Sequence, residues 1–372
     1  QAGSLDANEQ RMVEWIDAHT EDAIALLEET VNISSGTMNH DGVRKVGAVM
    51  QRELDAIGLE TEWIELPPEM QRAGHVFARK TSGTSKKFVL IGHLDTVFEA
   101  DDDFQAFQRD GDTATGPGVE DMKGGNVVIV YALKALQEIG ALDDIPVVVA
   151  YTGEEEKSGI PLSISRKDLV EAGKWADIGL GFESAMTFDG HDWGTIARRS
   201  SSEWMLTVEG KQAHSSGIFS DDVGAGAIFE TARILNSFYE EVRGEEHLTF
   251  NVGTIQAGTD VEYDDQQNRG TTFGKTNVVP RTAVVHGGIR TISQEQLDRA
   301  QAKMKEIVAA SLPHTKASIE FGVGYPPMFP SEGNRALLNV LSQVNEDLGR
   351  APMKELDPLK RGAADISFVA PY

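Results

Sequence analysis

The sequence predicts an α/β chain: a mostly parallel mixed sheet flanked by helices, followed by a smaller layer of different rhythm. Three observations predict it. Helical and valine-rich strand patterns alternate between Val89 and Glu183, which is the signature of parallel strands joined by crossover helices. The alternation changes near Ser201 to half-exposed strands. At 372 residues the chain is long enough for two hydrophobic cores.

In chain order, Asn8 to Glu29 and Gly42 to Ile57 carry apolar residues at helical spacing, the second ending at Gly58. Thr61 to Leu66, His75 to Lys80 and Phe88 to Gly92 read as strands divided by Pro67, Pro68 and Gly83. The glycine-rich turn GPGVEDMKGG opens a helix from Asp121 to Glu138, and Ile145 to Tyr151 is a strand. Leu162 to Ala172 then reads as helix and Ile178 to Phe182 as strand.

Beyond Ser201, the strand Trp204 to Glu209, helix Gly224 to Val242 and strands His247 to Gln256 and Thr282 to Ile292 lead to a second helix. That helix, Ser293 to Ser311, opens with a Ser293 and Gln296 capping spacing and is followed by the strand Ala317 to Val323. The order βαββαβ predicts a ferredoxin-like α+β layer inserted in the first domain. The expected division is residues 1–200 and 324–372 for the first domain and 201–323 for the insertion. Helix Asn334 to Leu348 and the segment LDPLKRGAADISFVAPY return to the first domain.

Thirty-four basic and 59 acidic residues leave a net charge of −25, scattered along the chain. This argues against nucleic acid or an anionic membrane as partner, and any anionic substrate then needs locally placed Arg or Lys. No apolar run is long enough for a membrane span. Without cysteine, a metal must be held by His, Asp and Glu. The first residue, Gln1 rather than Met, leads to an expected periplasmic or secreted location, otherwise cytoplasmic.

The run VLIGHLDTV, Val89 to Val97, reads as a strand buried on both faces that delivers polar side chains at its end. His93 and Asp95, two apart, share a side, so Asp95 can orient one imidazole nitrogen and leave the other for a metal. A single acidic residue after a strand is ordinarily a helix cap or a solvated loop. Here Asp121, the triplet Glu154, Glu155 and Glu156, and Glu183 all fall where strands meet loops, and clustered carboxylates call for a divalent cation. Oxygen and imidazole donors suit zinc, with cobalt or manganese as alternatives.

Taken together, GHLDTV, GPGVEDMKGG, YTGEEEKSG and GFES resemble the co-catalytic dizinc peptidases that include bacterial glutamate carboxypeptidase, aminoacylase and succinyl-diaminopimelate desuccinylase. The resemblance implies two zinc ions per chain. His93 and Glu183 would complete one site, Asp121 would bridge, Glu156 would bind the second ion, and Glu155 would be the general base, with Asp95 orienting His93. Glu154 as base and Glu155 as ligand is the alternative register of the triplet. The second ion's last ligand, a histidine in the family, is expected beyond Tyr372.

In the insertion, GKQAHSSG implies that His214 reaches across a homodimer to the oxyanion, and Asn277 and Arg290 would grip the substrate carboxylate. The family's acid two residues before that arginine is replaced by Gly288. The implied activity is a zinc metallocarboxypeptidase that releases a C-terminal amino acid, glutamate-type first, from a small N-acyl or peptidyl substrate. Aminoacylase or dipeptidase chemistry at the same site is the alternative within enzymes. A non-catalytic, dimeric carboxylate-binding relative is the alternative outside them.

Overall fold

The computed structural model describes residues 4–264 and 269–372; Gln1 lies outside them. The chain divides into two compact units. One comprises Gln1–Ile196, Pro330–Leu356 and Ala364–Tyr372, the other Ala197–Phe329 and Asp357–Ala363.

The first unit begins with α1 (Ala7–Ala18), capped by Asp6 and Glu9 in a reciprocal box, and α2 (Thr20–Val31). The sequence pattern reads as one helix here. The helix breaks at His19, whose ring stacks on Trp15 at 4.0 Å while its Nδ1 bonds the Trp15 carbonyl. There follow α3 (His40–Asp55), β1 (Glu60–Ile64), β2 (His75–Lys80), β3 (Phe88–His93) and the small hairpin β4 (Gln108–Asp110) with β5 (Thr113–Thr115). Next come α4 (Gly124–Glu138), β6 (Val147–Thr152), α5 (Leu162–Ser165), α6 (Lys167–Trp175), β7 (Ile178–Gly181), β8 (Met186–Phe188) and β9 (His191–Gly194).

The main sheet has the order β1-β2-β6-β3-β7. The pairs β3 with β6 and β3 with β7 are parallel, whereas β1 with β2 and β2 with β6 are antiparallel. The sheet is therefore less parallel than the sequence pattern suggests. Only β3 to β6 and β6 to β7 are joined by crossover helices. Only a single 3-10 turn, Pro68–Met70, separates β1 from β2, with no crossover α-helix, so that pair closes as an antiparallel ribbon.

Strand β3 is buried on both faces, as its apolar run predicts. Leu90 packs with Val46, Met50, Ile129 and Val149 on one side, and Val89 and Ile91 pack with Val148, Leu169 and Val369 on the other. The three parallel strands run the same way, so β3, β6 and β7 deliver His93, the Glu154 triplet and Glu183 to one sheet edge. Gly92 sits where a Cβ would lie 2.1 Å from Asn126 Oδ1, which lets α4 press against the strand just before His93.

At the start of β2, His75 is buried and both ring nitrogens are used. Nε2 donates to the Ser165 carbonyl at 2.8 Å and Nδ1 accepts the Gly153 amide at 3.2 Å. Protonation would set a second N–H against an N–H. Burial, reinforced by the charge of Arg166, lowers the imidazole to about 4. The unfolded chain takes up this proton near pH 6.5, so the contribution to stability is complete above that pH and is lost as pH falls towards about 4. That contribution is about 3 kcal/mol. Urea unfolding from pH 7 to 4.5 should show the wild-type chain losing stability relative to His75→Gln, and parallel curves would refute it.

The second unit contains β10 (Ser202–Gly210), α7 (Gly226–Ser237), β11 (Thr249–Gly258), the hairpin β12 (Asp260–Asp264) with β13 (Arg269–Phe273), β14 (Thr282–Arg290), α8 (Gln294–Ala309) and β15 (Thr315–Phe321). Its four-stranded antiparallel sheet has the order β11-β14-β10-β15. The hairpin is an addition to the βαββαβ order that the sequence pattern does not reveal. Trp204, Leu206 and Val208 alternate inward to meet Ile234, Met304 and Ile307. Ser293 caps α8 through the Gln296 amide, and the Gln296 side chain accepts the Ile292 amide. The chain returns to the first unit with α9 (Glu332–Asp347) and β16 (Lys354–Glu355), which pairs with β9. No helix among the described residues is long and apolar enough to cross a membrane.

Candidate active site

In the first unit, the ends of β3, β6 and β7 and the entry to α4 bring five predicted residues together. His93 Nε2 lies 3.1 Å from Asp121 Oδ1, 3.8 Å from Glu155 Oε2 and 3.9 Å from Glu183 Oε1. Two groups of donor atoms, each within 4.8 Å of one another, result: His93 with Asp121 and Glu183, and His93 with Glu155 and Glu156. Among the described residues, His93 is the only imidazole in these groups.

Each side chain is held by the local fold. The Asn126 amide donates to the His93 carbonyl at 2.6 Å, and Nδ1 of His93 faces the Asp95 carbonyl at 3.0 Å and its carboxylate at 3.3 Å. Asp121 precedes α4 in a non-helical stretch with a cis peptide to Met122. That entry is tied down by Lys123, whose ammonium donates to the carbonyls of Thr30 and Ile33. Asp95 is fully buried. It accepts the amides of Glu155 at 3.0 Å and Glu156 at 3.1 Å and the Thr37 hydroxyl at 2.6 Å.

The electrostatics are those of a cation site. Burial, aided by neighbouring carboxylates, pushes Glu155 well above the usual carboxylate range and Glu156 up to about 7. Burial opposes charge on His93 too, but hydrogen bonds to Asp121 and Asp95 and the charge of Glu155 outweigh it and raise its pKa. Asp95, in spite of its burial, is lowered by His93, Thr37 and the Glu155 amide. Carboxylates crowded in a low-dielectric edge with one imidazole, all hard or borderline donors, fit a divalent metal such as zinc.

Glu154 behaves differently from its two neighbours. Its carboxylate is buried against the Arg166 guanidinium and the Gly159 amide. That leaves Glu155 and Glu156 as the members of the triplet that face His93. Sequence reasoning passes over Arg166 and its second partner, Asp365, at 2.8 Å. They lie 199 residues apart, and no local spacing marks such a pair.

The other predicted residues lie in the second unit. His214 is exposed; its Nδ1 accepts the Ser216 amide at 3.2 Å, which places the proton of the neutral ring on Nε2. Its loop runs beside that of Asn277, with the Ser215 amide bonded to the Asn277 carbonyl at 2.9 Å. Arg290 ends β14, opposite Thr249 of β11. Arg199, unmarked by the sequence reading, donates to that same Thr249 hydroxyl at 2.5 Å, and its buried Nε has no hydrogen-bond partner among the described residues. Burial, then the charge of Arg290, lowers the Arg199 pKa. Glu203 lies across from Gly288, but its carboxylate reaches His286 at 3.3 Å rather than Arg290.

The chain is similar to several proteins of known structure or activity. Carboxypeptidase G2 of a Pseudomonas species is 26% identical over 324 residues, 85% of this chain and 71% of that protein. Succinyl-diaminopimelate desuccinylase of Gluconobacter oxydans is 25% identical over 363 residues, 94% of this chain and 87% of that protein. Among solved structures, aminopeptidase PepT of Bacillus cereus superposes with a TM-score of 0.67 at 17% identity, covering 94% of this chain and 87% of that one. Residues 89–371 match Peptidase family M20/M25/M40, and the chain belongs to that family of metallopeptidases.

Proposed function

We propose that this protein is a zinc-dependent amidohydrolase of the carboxypeptidase type, releasing a C-terminal amino acid, glutamate-type first, from an N-acyl or peptidyl conjugate. The observation that carries this reading is the convergence of Asp121, Glu155, Glu156 and Glu183 on His93. His93, Asp121 and Glu183 would hold one ion, and Glu156, with Asp121 shared, a second. When bound, the metal supplies Lewis acidity, polarising the scissile carbonyl and lowering the pKa of water.

The chain's own residues supply the rest. Glu155, held beside the cluster by the Asp95 bond to its amide, takes a proton from the attacking water and delivers it to the departing amine. His214, with a donor at Nε2, is suited to the tetrahedral oxyanion. Arg290, with Arg199 beside it, offers cationic charge to a substrate carboxylate in a strongly acidic protein. Similarity to carboxypeptidase G2 supports the same class.

A homodimer accounts for the placement of these groups. Asn277 and His214 lie near the start of β14 and Arg290 at its end. The eight residue steps of that strand span roughly 27 Å, too far for one copy of this unit to place both ends on a small substrate. His214 and Asn277 would come from the second copy.

The test is a screen of purified, zinc-loaded protein against N-acyl glutamates, other N-acyl amino acids, dipeptides and N-succinyl amines. Release of glutamate, abolished by chelation and restored by zinc, is expected. Hydrolysis confined to the other groups would overturn the glutamate preference. Absence of bound metal would overturn the enzyme reading.

A further inference from the structure

Behind the metal-ligand cluster, the first unit buries a cation that the proposed chemistry does not use. Arg166 is 1% exposed and lies between two carboxylates that are themselves buried, Glu154 and Asp365. Desolvating such a group costs several kcal/mol, and apolar replacements of buried ion networks are often no less stable. Stability alone therefore does not explain the network.

Its geometry does. The guanidinium reaches Glu154 and the Ser165 hydroxyl through Nη1, the Ser158 hydroxyl through Nη2 at 3.1 Å, and Asp365 Oδ1 through Nε at 2.8 Å. Glu154 also accepts the Gly159 amide, closing the loop of residues 154–159 on itself. The other oxygen of Asp365 accepts the hydroxyl of Thr152, the last residue of β6, at 2.5 Å. The root of the loop, its first carboxylate and its far end are thus all tied to one planar fork, directly or through one further bond. From the opposite side, Asp95 holds the amides of Glu155 and Glu156.

We propose that Arg166, anchored by Asp365, is the positioning residue for the loop that carries Glu155 and Glu156, setting where both carboxylates stand relative to His93. This rests on the reading of Glu155 as base and Glu156 as ligand. Arg166 acts through Glu154, Ser158 and Gly159 and touches no substrate. A lysine keeps the charge but is a single point rather than a fork, and cannot hold Glu154, Ser158 and Asp365 together.

The test titrates metal-depleted protein with cobalt(II), following the visible spectrum, and in parallel measures kcat and KM on whichever amide the wild type hydrolyses. Arg166→Lys is expected to keep its circular dichroism and the tighter cobalt phase, which depends on His93, Asp121 and Glu183. The weaker phase, which depends on Glu156, should lose about 10–100-fold in affinity, and kcat should fall with KM unchanged. Glu154→Gln keeps an acceptor for Gly159 while weakening the pair with Arg166, and should shift the same phase by less.

Wild-type cobalt titrations in both variants, or failure of both to fold, would overturn the proposal by leaving the network a purely structural role. Because the titration reads the metal directly, it stands even if the wild type hydrolyses none of the amides tried. That outcome would count against the carboxypeptidase reading alone.

Discussion

Replacing Glu155 with Gln is expected to lower turnover by about 10²–10⁴-fold while the metal content of the protein stays at the wild-type level. The amide is nearly isosteric and leaves the backbone bond from residue 155 to Asp95 in place, but it cannot take up a proton from water. Glu155 Oε2 lies 3.8 Å from His93 Nε2 and Glu183 Oε1 lies 3.9 Å from it, so metal content rather than distance separates base from ligand. The measurement is kcat together with zinc per chain by elemental analysis. Unchanged turnover would remove Glu155 from the role of base, and loss of metal would instead make it a ligand.

The same variant tests whether two copies share a site. His214→Ala should also be inactive with its metal intact. Equimolar mixing of the two dead proteins, after exchange of subunits, should restore about a quarter of wild-type activity. Half of the dimers are then mixed, and in each of these one site has both groups. No recovery, in a mixture shown by mass spectrometry to contain mixed dimers, would exclude a His214 that acts across the interface.

The second large effect is expected from Asp95→Asn. Both carboxylate oxygens serve as acceptors only: Oδ1 for the Glu155 amide, Oδ2 for the Glu156 amide and the Thr37 hydroxyl. The asparagine NH₂ must face one of those donors whichever way the side chain turns, in a site with no access to water. A loss of about 2–4 kcal/mol in unfolding free energy follows from an unsatisfied buried donor and a broken buried charge pair. The variant also loses the negative charge that faces Nδ1 of His93, so metal affinity should fall about 10–100-fold. Urea unfolding of the metal-free protein checks the first effect and competition with a zinc chelator the second. A midpoint equal to wild type would show that the Asp95 bonds do not hold the loop.

How far the sequence reached can be seen at particular residues. The apolar run Val89 to Gly92 was enough to predict a strand buried on both faces with His93 at its end, because a strand's burial follows its composition. The acidic residues after β6 and β7 were legible as a cluster for a related reason, since parallel strands that alternate with helices deliver their ends to the same edge. The mixed character of the sheet was harder to read. Strand composition does not distinguish parallel from antiparallel neighbours, and the β1–β2 ribbon depends on a connection without a crossover α-helix. The break at His19 and the added β12–β13 hairpin likewise turn on local contacts and pairings that residue patterns do not encode.

Side-chain direction within the triplet was beyond the sequence as well. Three consecutive glutamates after a strand carry no signal that separates them. Tertiary structure divides them: Glu154 turns to Arg166 and the Gly159 amide, while Glu155 and Glu156 turn to His93. That division depends on a guanidinium 12 residues further on and on an aspartate 199 residues beyond it. By itself, then, the sequence determined the α/β class, the family and the chemical kinds of group at the sheet edge, because composition and motif order act locally. Which carboxylate faces His93 and which is spent on the buried arginine was decided by tertiary structure alone, because buried charges choose partners by distance in space rather than by position in the chain.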